Sequence, residues 1–134
     1  MTRSERTEMP PKLFTPTDAN RMLPLVRSIV ADILEKAGEL RGRTALARNP
    51  ELDPDVRQLR QDVLDLMHEI EELGASYKDW DFQVGLVDFP GQVEGEDVFF
   101  CWRSDETSIE FYHPRETGFS GRRRIPSHLF DEDA

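Results

Sequence analysis

Two apolar seams, each led in by a capping residue and a proline, constrain this chain more than any other feature. In the first, Leu23, Val26, Val30, Ile33, Ala37 and Leu40 fall at alternating steps of three and four, the spacing that lays side chains along one stripe of an α-helix. Thr15 stands where a cap is needed, Pro16 suits the first helical position, and Asp18 lies three residues after the cap. A helix is therefore expected over residues 16 to 47. Pro24 removes one of its ladder hydrogen bonds, predicting a kink or a restart capped by Asn20. The second seam, Val56, Leu59, Val63, Leu66, Ile70 and Leu73, follows Asp53-Pro54-Asp55 and stops at Gly74, predicting a helix over 54 to 73. Matching seams joined by a short polar connection make a long antiparallel helical hairpin over 16–73, favoured over a parallel coiled coil between chains.

After Gly74 the period changes. Val84 to Phe89, Val98 to Arg103 and Ser108 to His113 are rich in aromatic and β-branched residues, and Pro90-Gly91 with Gly95, then Ser104 to Thr107, separate them. The expected fold is α+β: the hairpin followed by a small three-stranded antiparallel β-meander over 84–113. A single domain spans 13–124, with a disordered tail at 1–12 and a flexible acidic tail at 125–134. A chain of 134 residues can bury a core without cross-links, and its one Cys, Cys101, permits no disulfide framework. Seventeen basic against 27 acidic side chains give a net charge of -10, which argues against general binding to nucleic acid or anionic lipid. No apolar run is long enough for a membrane span and no signal peptide is visible, so a cytoplasmic location is expected.

A four-residue second turn would set Arg103 opposite Ser108, pairing Trp102 with Ile109, Phe100 with Phe111 and Val98 with His113 on the core face. Phe99, Cys101, Arg103, Ser108, Glu110 and Tyr112 then form a mixed outer face. Putting Val87 and Phe89 in the core places Gly85 beside Trp102 and Asp88 on the mixed face. A slip of one residue would bring His113 to the side of Asp88. Met22, Leu25 and Ile29 form a second apolar flank on the first half of helix one, so the sheet should dock over the open end of the hairpin.

Asp88 is the most informative polar residue, because a carboxylate between Val87 and Phe89 contradicts strand propensity and needs a partner or a solvated face. Lys78, Arg103 or the run Arg122-Arg123-Arg124 could supply the charge, and an ion pair pinning the C-terminal segment across the sheet is favoured over a ligand role. The arginine run is expected to be neutralised by Asp131-Glu132-Asp133. If a ligand site exists, it lies between sheet and tail and uses Asp88, Arg103, Glu110, Tyr112 and His113. No metal site is expected: Cys101, His113, Asp88 and Glu110 lack compact ligand spacing, and the register turns His113 away from Cys101 and Glu110. Cys101 reads as a packed thiol rather than a nucleophile, and His68 and His128 as surface residues. With neither Gly-x-Ser-x-Gly nor a Walker-type loop, no catalytic residue and no cofactor is assigned.

Leu13-Phe14-Thr15, Ala19-Asn20, Leu23-Pro24-Leu25-Val26, Leu73-Gly74, Lys78-Asp79, Gly85 to Pro90, Cys101-Trp102-Arg103, His113 and Gly118 to Arg122 together resemble an uncharacterised bacterial family catalogued as domain of unknown function 2203. The resemblance covers residues 13 to 124, with Tyr112-His113 standing where it leads one to expect Trp-His. It implies a single bacterial domain and carries no activity. The expected function is a non-enzymatic binding or assembly protein, acting through the hairpin or the mixed sheet face on another protein or as a homodimer. The alternative is a small-molecule or metal-binding protein, an enzyme among them, with its site between sheet and tail.

Overall fold

A computed structural model describes residues 13–79 and 81–133, with side chains described as far as residue 130. The tail expected at 1–12 lies outside the described residues. Helix α1, Pro16–Leu46, starts as its sequence predicts, with the Thr15 hydroxyl accepting from the Asp18 amide at 3.0 Å. It runs unbroken through Pro24. Helix α2, Pro54–Glu72, begins with the Asp53 carboxylate accepting from the Asp55 amide at 2.9 Å. Arg43 pairs with Asp55 and Lys36 with Asp62, so the contacts step down one helix as they step up the other, an antiparallel arrangement. Among the described residues, no helix is long and apolar enough to cross a membrane.

The sheet has five antiparallel strands in chain order, not the three expected: β1 Ser76–Tyr77, β2 Leu86–Val93, β3 Glu96–Arg103, β4 Phe111–Pro114 and β5 Arg123–Arg124. Two-residue edge strands carry no alternation to read, so β1 and β5 leave no sequence signal. Pro90-Gly91, expected to be a turn, lies inside β2. The Pro90 carbonyl accepts from the Phe14 amide at 2.8 Å, so the side of the strand where proline lacks a donor faces the sheet edge and costs no ladder bond. At Gly91 a Cβ would lie 2.2 Å from the Phe100 ring and 2.7 Å from the Phe14 carbonyl oxygen, so only glycine fits there. The chain turns instead at Glu94-Gly95, both at positive φ, between Val93 and its partner Glu96. Gly85 packs against Val30 of α1 rather than against Trp102, whose strand partner is Val87.

One buried cluster joins Ala19 to Ile33 of α1, Val63 to Ile70 of α2, and Val87, Phe89, Val98, Phe100, Trp102 and Tyr112 of the sheet. The sheet thus covers the helices near the start of α1, where Ile29 is buried and Met22 packs against the cluster, while Leu25 stays exposed. Buried Ala37 and Val56, nearer the connection, lie outside that cluster. The segment from residue 125 does not begin as a flexible tail: Ile125 is buried, and Leu129 and Phe130 pack on the core.

Candidate functional site

The β3–β4 connection decides which residues share a face. It spans residues 104–110, longer than the four expected, because Asn20 of α1 takes both backbone groups of Ile109: its Oδ1 accepts from the Ile109 amide at 2.8 Å and its Nδ2 donates to the carbonyl at 3.1 Å. Those groups are lost to the β3 ladder. Trp102 Nε1 donates to the Glu106 carbonyl and the Arg103 amide to the Glu106 carboxylate, which holds the rest of the loop. The register is consequently shifted by one residue from that expected: Phe100 faces Tyr112, Cys101 faces Phe111 and Phe99 faces His113. With period-two alternation this exchanges the two faces of β4. Tyr112 enters the core, and His113 joins Asp88 and Cys101 on the outer face.

Asp88 and His113 sit on β2 and β4 with β3 between them, and the small Cys101 side chain leaves room for them to meet above it. His113 Nε2 lies 3.2 Å from each Asp88 carboxylate oxygen. His113 Nδ1 is 2.8 Å from the Pro114 carbonyl, which can only accept, so Nδ1 carries the proton. In the neutral ring Nε2 is then a lone pair aimed at a carboxylate, and the pair requires a shared proton or another cation. Asp88, Cys101 and His113 are all under 6% exposed, and one ligand atom from each lies within 4.8 Å of the others. Burial raises the Asp88 carboxyl above the usual range, opposed by the His113 charge and hydrogen bond and by Lys78. Burial, reinforced by the Asp88 charge, pushes the Cys101 thiol up to about 12, so it stays protonated at neutral pH and is no nucleophile by itself.

These residues would lie open on a bare sheet, but the chain after β4 folds back across them. Arg122 pins that return, donating to both Glu106 carboxylate oxygens at 2.8 Å and to the Cys101 carbonyl at 3.2 Å, with its guanidinium over the rings of Phe111 and Phe119. Between sheet and return lies a cavity of about 290 Å³ lined by Leu86, Asp88, Phe99, Cys101, His113 and Phe119, with exposed Lys78 and Arg115 completing it. Both cations sit over the Phe99 ring, at 6.0 and 4.5 Å from its centroid. Lys78 is held by its amide, which donates to the Leu86 carbonyl, and by the Asp79 carboxylate, which accepts from Gln83 and Val84 and orders the loop that follows.

Of the five residues read as a site, the structure brings together Asp88 and His113. Arg103 is held in a two-pronged ion pair with Asp105 at 2.6 and 2.7 Å and does not line the cavity. Tyr112 is buried in the core opposite Phe100. Glu110 bonds to Ser108 and Arg124, which hold its carboxyl below the usual range, at a separate cavity of about 500 Å³ near the start of α1. That larger cavity is the weaker candidate, because its Glu110 and Arg124 already neutralise one another. Asp88 finds its partners in His113 and Cys101 rather than in Arg103 or the arginine run. Arg122 and Arg124 of that run pair with Glu106 and Glu110. Cys101 was weighed as a ligand and set aside for want of compact spacing, Lys78 was read only as a partner for Asp88, and Arg115 carries no signal in its turn.

Fold and cleft together define an α+β protein, two antiparallel helices against a five-stranded meander, with a largely apolar, cation-rimmed cleft on the outer face of the sheet. A family described as Uncharacterized conserved protein (DUF2203) has a profile that matches residues 12–125. The chain belongs to that family. No curated protein and no solved structure matches it.

Proposed function

We propose that this protein binds a small anionic molecule, a carboxylate or phosphate of few heavy atoms, in the cleft between sheet and C-terminal return. The observation that carries the reading is the placement of Lys78 and Arg115 over one ring at the same cavity, in a chain of net charge -10. Among the described residues neither cation is in an ion pair. One ligand can therefore meet both. The volume of about 290 Å³ is at the lower end of small-molecule sites. Leu86, Phe99 and Phe119 supply the apolar lining that such sites combine with a few convergent polar groups. This reading takes up the sheet-and-tail alternative and makes the outer face, not the hairpin, the working surface.

Thermal unfolding in inorganic phosphate and in a series of small carboxylates tests it. An anion at about 100 times its dissociation constant should stabilise the protein by about 2.7 kcal/mol, and the Lys78→Ala/Arg115→Ala variant should lose that gain. The reading fails if no anion stabilises the parent or if the double variant is stabilised equally. Homodimerisation through the helices is a separate proposal. It is favoured by Leu46 and Leu52, 89% and 69% exposed near the helix connection, and is overturned by sedimentation that finds only monomer at high micromolar concentration.

A further inference from the structure

We propose that Asp88, Cys101 and His113 are the three protein ligands of a divalent transition metal ion of the zinc type, whose remaining position opens into the cleft. The inference deepens the cleft reading and rests on it. Three features support it. The first is the donor set: one thiol sulfur, one imidazole nitrogen and one carboxylate oxygen, on three adjacent strands, with ligand atoms within 4.8 Å of one another. Bonds of 2.0 to 2.3 Å at tetrahedral angles place ligand atoms roughly 3.3 to 3.7 Å apart. The 3.2 Å separations between His113 Nε2 and the Asp88 oxygens already approximate one edge of that figure.

The second feature is the ring of His113. Its Nδ1–H donates to the Pro114 carbonyl at 2.8 Å, the outer contact that fixes a metal-binding histidine in the tautomer presenting Nε2. The third is what the pair lacks. Two acceptors are aimed at one another in a site 3% and 5% exposed, which is costly unless something positive lies between them. A proton can serve, and so can a metal ion; the thiol beside them donates to Asp88 while protonated and, on losing its proton to an incoming ion, becomes the preferred soft ligand of zinc. Three protein ligands with one open position are the arrangement of zinc sites that bind exchangeable groups, as opposed to closed structural sites. The open position gives an anion's oxygen a place at the metal, while Lys78 and Arg115 meet the rest of its charge.

Titration of the full-length protein with cobalt(II), followed by displacement with zinc, tests the assignment. Cys101 is the only cysteine in the chain, so a thiolate-to-cobalt absorption band reports this site and no other. The expected result is one equivalent bound with that band present, reversed by zinc. Cys101→Ser should abolish the band, and His113→Gln should lower zinc affinity, measured against a chromogenic chelator, by more than the roughly 10- to 100-fold that loss of an outer-shell partner costs. The parent's band is decisive whether or not the variants fold. Cobalt or zinc that fails to bind stoichiometrically to folded parent protein, or binds without the thiolate band, overturns the proposal and leaves a proton-sharing pair. Repeating the anion series on chelator-treated and zinc-loaded protein separates the failures. Metal binding without anion stabilisation sinks the anion reading alone, and anion stabilisation without metal binding sinks the metal alone.

Discussion

Replacing Trp102 with alanine is expected to remove about 3 to 5 kcal/mol of folding stability, a large part of the total of a domain this size. Trp102 is fully buried near the end of β3, the central strand of the sheet, and packs in the core shared with α1. Three contacts would go with it: packing in the core, the Arg27 guanidinium 5.7 Å from the ring centroid, and the indole hydrogen bond to the Glu106 carbonyl at 2.9 Å. The last matters beyond the core, because Glu106 also receives Arg122 and so fastens the return across the cleft. Urea unfolding followed by circular dichroism measures the loss as a lower midpoint at unchanged slope. A loss below about 1 kcal/mol would mean that the sheet does not pack on the helices as described.

Asn20→Ala should cost about 1 to 3 kcal/mol and should also disturb the cleft, although Asn20 lies on the other side of the sheet from it. Its amide is the partner of both backbone groups of Ile109 and also donates to the Pro16 carbonyl at 3.0 Å. Alanine leaves the buried Ile109 groups unpaired, and frees the connection that sets the register of β4. Asn20→Asp keeps the acceptor for the Ile109 amide but sets a carboxylate oxygen against the Ile109 and Pro16 carbonyls, so a loss at least as large is expected. Hydrogen exchange at Ile109 and at the β4 amides checks the local effect. Unchanged protection there in Asn20→Ala would show that the register is held by other contacts.

Much of the helical half was legible. The caps at Thr15 and Asp53, the prolines that follow them and the three-four seams are local signals, and the helices begin where those signals lie. Within α2 the buried positions are Val56, Val63, Met67 and Ile70, so Leu66 is only half-buried although its spacing suited the seam. The burial stripe of a helix is set by its neighbours' positions, which spacing alone does not contain. The strands were legible as segments and poorly legible as extents. Pro90 and Gly91 carry strong turn signals, yet a proline facing a sheet edge and a glycine under an aromatic ring satisfy a strand equally well.

The same division separates the two halves of the cleft. Asp88 stood out in the sequence because a carboxylate in an apolar strand must be matched by something, and it proves buried and paired. Its partner did not stand out, since His113 becomes its partner only through the shifted register of β4. Glu110 and Tyr112 were grouped with Asp88 by alternation counted from a four-residue turn, and they part from it when the connection lengthens, whereas Arg103 keeps the outer face and is held away by Asp105.

By itself the sequence determined the two helices, their caps, the turn to aromatic strands after Gly74 and the anomaly at Asp88, because each is set by residues close together in the chain. Cys101 and Asp88 fell on one face by strand alternation, and the tertiary structure alone decided that His113 joins them. Side chains alternate along a strand with a period of two, so a single residue in a connection chooses the face, and that residue was counted by an asparagine 89 positions away.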